Sequence, residues 1–168
     1  MINRLVLAAQ LTWRQVVILR TVAKYLRQTR ATYSQDYLED ALVSHPAIAR
    51  DLVELWQARF DPARYAGVPG TDAGDAASAP GSALPTAGPE PTAEEAAVAA
   101  RVLDALDDVS SLDHDRIIRA FLGVIRAGLR TNFYQAGVGE DEHKPYVSLK
   151  LNPKAVPDLP APRPQFEI

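Results

Sequence analysis

The first 30 residues carry six basic side chains and no acidic one. Read as chemistry, Arg4, Arg14, Arg20, Lys24, Arg27 and Arg30 would form a phosphate-binding patch, as in a helix-turn-helix. A sequence-specific reader also needs groups that reach base edges, and none stands out. Arg20, Lys24 and Arg27 recur at helical spacing opposite a broad apolar arc, which fits the solvated side of an amphipathic helix. Gly137-Val138-Gly139 invites comparison with a dinucleotide-binding loop, but the third glycine, the preceding strand and the following helix are missing. It reads as a turn. Glu140, Asp141, Glu142 and His143 offer metal-ligating atoms, yet they crowd one loop without zinc or EF-hand spacing. They read as a solvated acidic loop. His45, His114 and His143 lie far apart in sequence, and no nucleophile sits in a recognisable elbow. His114 falls in the first turn of a helix, where a surface role is the default. Trp13 and Trp56 share helical spacing with apolar residues and are expected in the core. No catalytic, cofactor-binding or metal-binding residue is assigned.

The elements that would have to hold any site are helical. Thr12-x-x-Gln15 has the form of a capping box, opening a helix that runs to about Thr29. Val16, Leu19, Ala23 and Leu26 share a face with Ile18, Val22 and Tyr25. That arc covers about half the circumference, so the helix is expected to have neighbours on two sides. Ser34 is a suitable N-cap for a helix through Tyr37, Leu38, Ala41 and Leu42, ending at His45-Pro46. Pro46 suits the first turn of the next helix, which carries Ile48, Leu52, Leu55 and Trp56 to about Phe60. Further on, Ala93 to Leu106 reads as an alanine-rich helix with Glu94 and Glu95 near its positive end. Asp113 is the expected cap of another, whose face is Ile117, Ile118, Phe121, Leu122, Val124, Ile125 and Leu129, fraying near Asn132.

Between these blocks, residues 62–92 read as a linker. From Ala66 to Thr92 the chain holds five of its 13 prolines and five of its nine glycines and almost no bulky apolar residue. Such a stretch buries too little surface to offset its ordering entropy and is expected to be disordered. Zero cysteines excludes a disulfide framework, thiolate zinc and cysteine catalysis. The net charge of −3 gives no global attraction to nucleic acid. No apolar run approaches the roughly 18 residues of a membrane span. Leu5 to Ala9 resembles a short signal core, but it breaks at Gln10 and leads into Trp13-Arg14 where a signal would have small residues.

At the other end, Tyr146, Ser148 and Lys150 alternate with Val147, Leu149 and Leu151, the period of a half-buried strand. A lone strand leaves its backbone groups unpaired. No earlier segment reads as a partner, which is therefore expected beyond Ile168 or in another chain, and the sequence reads as a piece of a larger polypeptide. The expected fold is mainly α: helical, bundle-like segments over 1–61 and 93–135, split by the disordered linker. Residues 136–168 form a loop and one or two short C-terminal β-strands lacking their full sheet.

Several segments resemble the large NAD-specific glutamate dehydrogenases of bacteria. They are Thr12-Trp13-Arg14-Gln15-Val16-Val17-Ile18-Leu19-Arg20, Tyr33-Ser34-Gln35-Asp36-Tyr37-Leu38-Glu39, Asp115-Arg116-Ile117-Ile118-Arg119-Ala120-Phe121 and Leu129-Arg130-Thr131-Asn132-Phe133-Tyr134-Gln135. The tail is also similar, in Ser148-Leu149-Lys150-Leu151, Val156-Pro157-Asp158-Leu159-Pro160 and Pro162-Arg163-Pro164-Gln165-Phe166-Glu167-Ile168. The resemblance implies a far longer polypeptide with ACT-like regulatory modules before a catalytic half that oxidises L-glutamate to 2-oxoglutarate and ammonium, passing a hydride to NAD. It places this region as a helical bridge immediately N-terminal to the catalytic core, with the substrate and nucleotide motifs past Ile168. The implied enzyme is a cytoplasmic homo-oligomer that uses NAD, and the implied partner of this chain is the remainder of that polypeptide. The chain itself is expected to bind no cofactor and to be inactive alone. The other reading is an independent helical module that binds a protein or nucleic acid through the basic N-terminal helices.

Overall fold

The computed structural model describes residues 2–29, 32–65, 91–137, 143–159, 161, 163 and 167–168. The expected linker falls largely outside these residues. A 3-10 turn over Ile2–Arg4 leads into the short helix α1, Leu5–Ala8. Helix α2 is Trp13–Gln28, opened by the expected capping box: the Gln15 amide donates to Thr12 Oγ1, and Gln15 Oε1 accepts from the Thr12 amide. Two orphan amides at the helix start are satisfied in this way. Helix α3, Gln35–Ser44, is capped by Ser34. Helix α4, Pro46–Phe60, starts on its proline and is followed by the short α5, Pro62–Tyr65. Thr92 caps α6, Ala93–Leu106. Helix α7 is Leu112–Ala127, and its cap is Ser111, which accepts from the His114 amide, in place of the expected Asp113. Both residue types suit the position, and Ser111 is the one that stands three residues ahead of a free amide.

Buried residues from both sides of the linker form a single apolar cluster. The wide apolar face of α2 is covered as its breadth requires: Val16, Ile18, Leu19, Val22, Ala23 and Leu26 are buried against α3, α4 and α7. Helix α4 lies along α6, and α7 packs on α2, α3 and α4. Among the described residues no helix is long and apolar enough to cross a membrane.

The C-terminal strand differs from expectation in where its partner lies. Helix α7 stops at Ala127, and Gly128–Thr131 turns directly into strand β1. Strand β2, Leu149–Leu151, pairs with it antiparallel, Arg130 opposite Lys150 and Thr131 opposite Leu149. Glu167 adds an isolated bridge on Leu151. The partner is thus within the chain, hidden because Leu129 continues the apolar period of α7. The change of direction falls where only glycine fits: a Cβ on Gly128 would lie 2.5 Å from Phe60 Cζ and 3.1 Å from the Ile125 carbonyl.

Candidate functional site

A buried polar joint connects the two helical blocks. Arg59, near the end of α4, is buried and donates Nη1 to Glu95 Oε1 at 2.6 Å and Nε to the Gly128 carbonyl at 2.8 Å. Glu95 is buried in the first turn of α6, where its charge also meets the positive helix end. Outside this pair, Arg101 on α6 reaches Asp51 and Glu54 on α4 at 2.9 and 2.5 Å, exposed contacts that contribute little. Beneath the pair lies an aromatic cluster. Trp56 is fully buried, 4.7 Å from the Phe60 ring and 6.0 Å from that of Phe133. Phe133 stacks edge-on with Tyr134 at 5.0 Å. Arg14 of α2 covers Phe133 from the other side, 4.2 Å from the ring, and donates to its carbonyl at 2.6 Å. Burial of Tyr134, then the nearby Asp61 charge, raises its hydroxyl pKa and keeps it neutral.

A second constellation joins residues 69 apart in sequence. His45, between α3 and α4, places Nε2 3.2 Å from Nδ1 of His114 in the first turn of α7. Tyr37 meets the His114 ring edge-on at 5.7 Å, and Tyr33 donates its hydroxyl to Asp113 at 2.9 Å. One imidazole must donate and the other accept, so the contact requires at least one neutral ring of the right tautomer. Burial, then the charge of His114, lowers the His45 pKa. A lowered histidine pKa means the folded state binds fewer protons than the unfolded one near pH 6. The stability it contributes is complete above the unfolded value of about 6.5 and is lost as the pH falls through the folded one. Urea denaturation at pH 5 is therefore expected to give a lower midpoint than at pH 7.5, by an amount that His45→Asn reduces. An equal pH response in wild type and variant would remove the pair as its source.

A groove of about 620 Å³ opens between α2, α7 and the tail after β2. Its floor is apolar, with Leu26, Leu38, Ile117 and Leu159, and Arg116, Arg119 and Asp158 stand on its walls. Arg119 is already paired with Asp115 at 3.0 Å. The tail sits so close on α7 that a Cβ on Gly123 would lie 2.6 Å from Pro157 Cδ. Tyr25 of α2 ties down the end of the tail through a 2.5 Å bond to Glu167.

These arrangements hold elements together. Among the described residues no group of three or more His, Asp or Glu side chains could hold a metal. Three of the basic N-terminal side chains bond within the chain. Arg14 binds Phe133, Arg20 donates to Asn3 at 2.7 Å, and Arg27 donates to the Tyr33 carbonyl at 2.9 Å. Arg30 lies outside the described residues, as do Val138 to Glu142 of the glycine turn and acidic loop, while His143 is exposed. Trp56 is core as expected; Trp13 is not, being 67% exposed. Trp13 shares a helix line with Val17, Arg20 and Lys24, the side of α2 turned from the core.

The fold and this joint define a mainly helical unit whose two blocks share one apolar core. Residues 1–62 match a family described as glutamate dehydrogenase, helical motif 3, and residues 101–168 match one described as bacterial NAD-glutamate dehydrogenase, catalytic domain. The NAD-specific glutamate dehydrogenases of Pseudomonas aeruginosa and Mycobacterium tuberculosis are each 42% identical over 166 residues, and that of Halomonas elongata is 40% identical. Each alignment covers 99% of this chain and 9% of the relative. The chain belongs to the bacterial NAD-specific glutamate dehydrogenase family. It spans about a tenth of the length of those relatives.

Proposed function

We propose that this chain is the bridge by which the helical region of a NAD-dependent glutamate dehydrogenase is fixed to its catalytic region. The whole polypeptide would carry out the conversion of L-glutamate and NAD to 2-oxoglutarate, ammonium and NADH, in the cytoplasm. The observation that carries this reading is the shared core: the stretch matching the helical motif and the stretch matching the catalytic domain are packed together and joined by Arg59, Glu95 and Gly128. A loosely tethered pair of modules would have separate cores and a polar, water-filled contact.

The purified chain is expected to show no glutamate-dependent reduction of NAD, followed by NADH absorbance against a blank without glutamate. Turnover that depends on glutamate and scales with the concentration of this chain would overturn the bridge reading. The alternative of a nucleic-acid-binding module finds no support in the geometry, since Arg14, Arg20 and Arg27 are engaged within the chain.

A further inference from the structure

The groove between α2, α7 and the tail has charges of opposite sign on its walls. Arg116 stands on the α7 side and Asp158 on the tail side, over the floor of Leu26, Leu38, Ile117 and Leu159. Arg116 meets the hydroxyl of Tyr33, which lines the groove and donates to Asp113 at 2.9 Å. The guanidinium is thereby placed by a partner that is itself held. Asp158 has a left-handed backbone, φ 54°, a conformation that aspartate tolerates better than most residues. Thr29, the C-cap of α2, also lines the groove, so the negative end of that helix adds to the carboxylate. At about 620 Å³ the groove falls within the range of small-molecule sites, about 300–1,000 Å³. Such sites combine an apolar lining with a few polar groups that fix orientation.

We propose that this groove binds a small zwitterion with an apolar side chain, an α-amino acid of the leucine or phenylalanine kind. Arg116 takes the carboxylate, Asp158 takes the ammonium, and the floor takes the side chain. An apolar acid without an amine leaves Asp158 unmet, and glycine leaves the floor uncovered. Leu26 and Leu38 belong to the stretch matching the helical motif, Arg116 and Asp158 to the one matching the catalytic domain. A ligand seated there touches both, and it stabilises their packed state by mass action because the unfolded chain has no such groove. The site does not depend on the bridge reading.

The test is thermal unfolding and calorimetric titration of the chain with L-leucine and L-phenylalanine, beside glycine, 4-methylpentanoate and 3-methylbutylamine. At least one of the two apolar amino acids is expected to raise Tm and to bind with measurable heat, and glycine to do neither. The acid and the amine, each lacking one charge of leucine, should bind about fivefold or more weakly than leucine, as for loss of one ion pair in an open groove. Asp158→Asn removes the charge but keeps a residue that accepts the left-handed backbone. It should lower leucine to the affinity of the acid and leave Tm without ligand unchanged. Arg116→Gln should lower leucine to the affinity of the amine. A site that is only an apolar cleft would bind leucine, the acid and the amine alike, and that result overturns the proposal. So does a response to leucine and phenylalanine no greater than to glycine, or one retained in both variants. None of these outcomes bears on the NADH absorbance test of the bridge, so the two readings fail separately.

Discussion

Glu95→Ala is expected to lower the unfolding free energy by about 3–5 kcal/mol, the range for breaking a buried ion pair by removing one partner. The Arg59 guanidinium is as buried as the carboxylate it meets. Removing Glu95 takes away the carboxylate that Nη1 meets at 2.6 Å, and less of the desolvation cost of the buried guanidinium is then offset. The bond from Arg59 Nε to the Gly128 carbonyl survives the substitution but carries no charge to answer the guanidinium. The double substitution Arg59→Met with Glu95→Leu is the sharper test, because well-packed apolar replacements of a buried pair cost little and can stabilise. Urea denaturation of the three proteins at pH 7 should therefore place the double variant closer to wild type than Glu95→Ala. A loss below about 1 kcal/mol for Glu95→Ala would mean that the pair is solvated and that the joint is softer than its geometry indicates. Since Arg59 belongs to the helical-motif stretch and Gly128 to the catalytic-domain stretch, the same substitution tests whether those two regions unfold together. One transition seen by all probes is expected of a shared core.

The helices were legible in the sequence wherever a local signal terminated them. Thr12 with Gln15, Ser34, and His45-Pro46 each fix a helix end through groups within four residues, so no tertiary knowledge is needed. The apolar arc of α2 likewise announced its several neighbours. What was not legible depends on contacts distant in sequence. Strand β1 lies in residues whose apolar spacing continues α7, and the close approach of Phe60 and Leu149 that leaves no room for a Cβ at Gly128 comes from residues distant in sequence. The family resemblance was legible in unbroken runs such as Leu129 to Gln135, because identity over a run does not require knowing its conformation. The sites were hidden for the reason β1 was. His45 and His114, Arg59 and Glu95, and Arg130 and Lys150 become neighbours through packing and register, and no spacing in the sequence encodes those meetings. Trp13 shows the reverse, since it stands at helical spacing with apolar residues yet shares its helix line with Arg20 and Lys24 and is exposed.

Trp56→Ala is expected to cost about 3–5 kcal/mol, as for other truncations of large buried aromatics. Trp56 is fully buried, and its ring lies between Phe60 on its own helix and Phe133 beyond β1, so the cavity opens at the joint itself. Collapse into that cavity is restrained on one side by Arg14, which holds Phe133 through both its ring and its carbonyl. A site that cannot relax keeps its void, and the cost lies toward the upper part of the range. Trp56→Phe separates shape from polarity. The indole Nε1 is buried and has no hydrogen-bond partner among the described residues, a donor whose desolvation goes uncompensated. Phenylalanine gives up some volume but also removes that donor, so the two effects oppose each other and the net loss should be well under half that of alanine. Urea denaturation followed by circular dichroism measures both. If the phenylalanine variant loses as much as the alanine one, the indole nitrogen has a partner such as ordered water, and the tryptophan is held for its hydrogen bond as well as for its bulk.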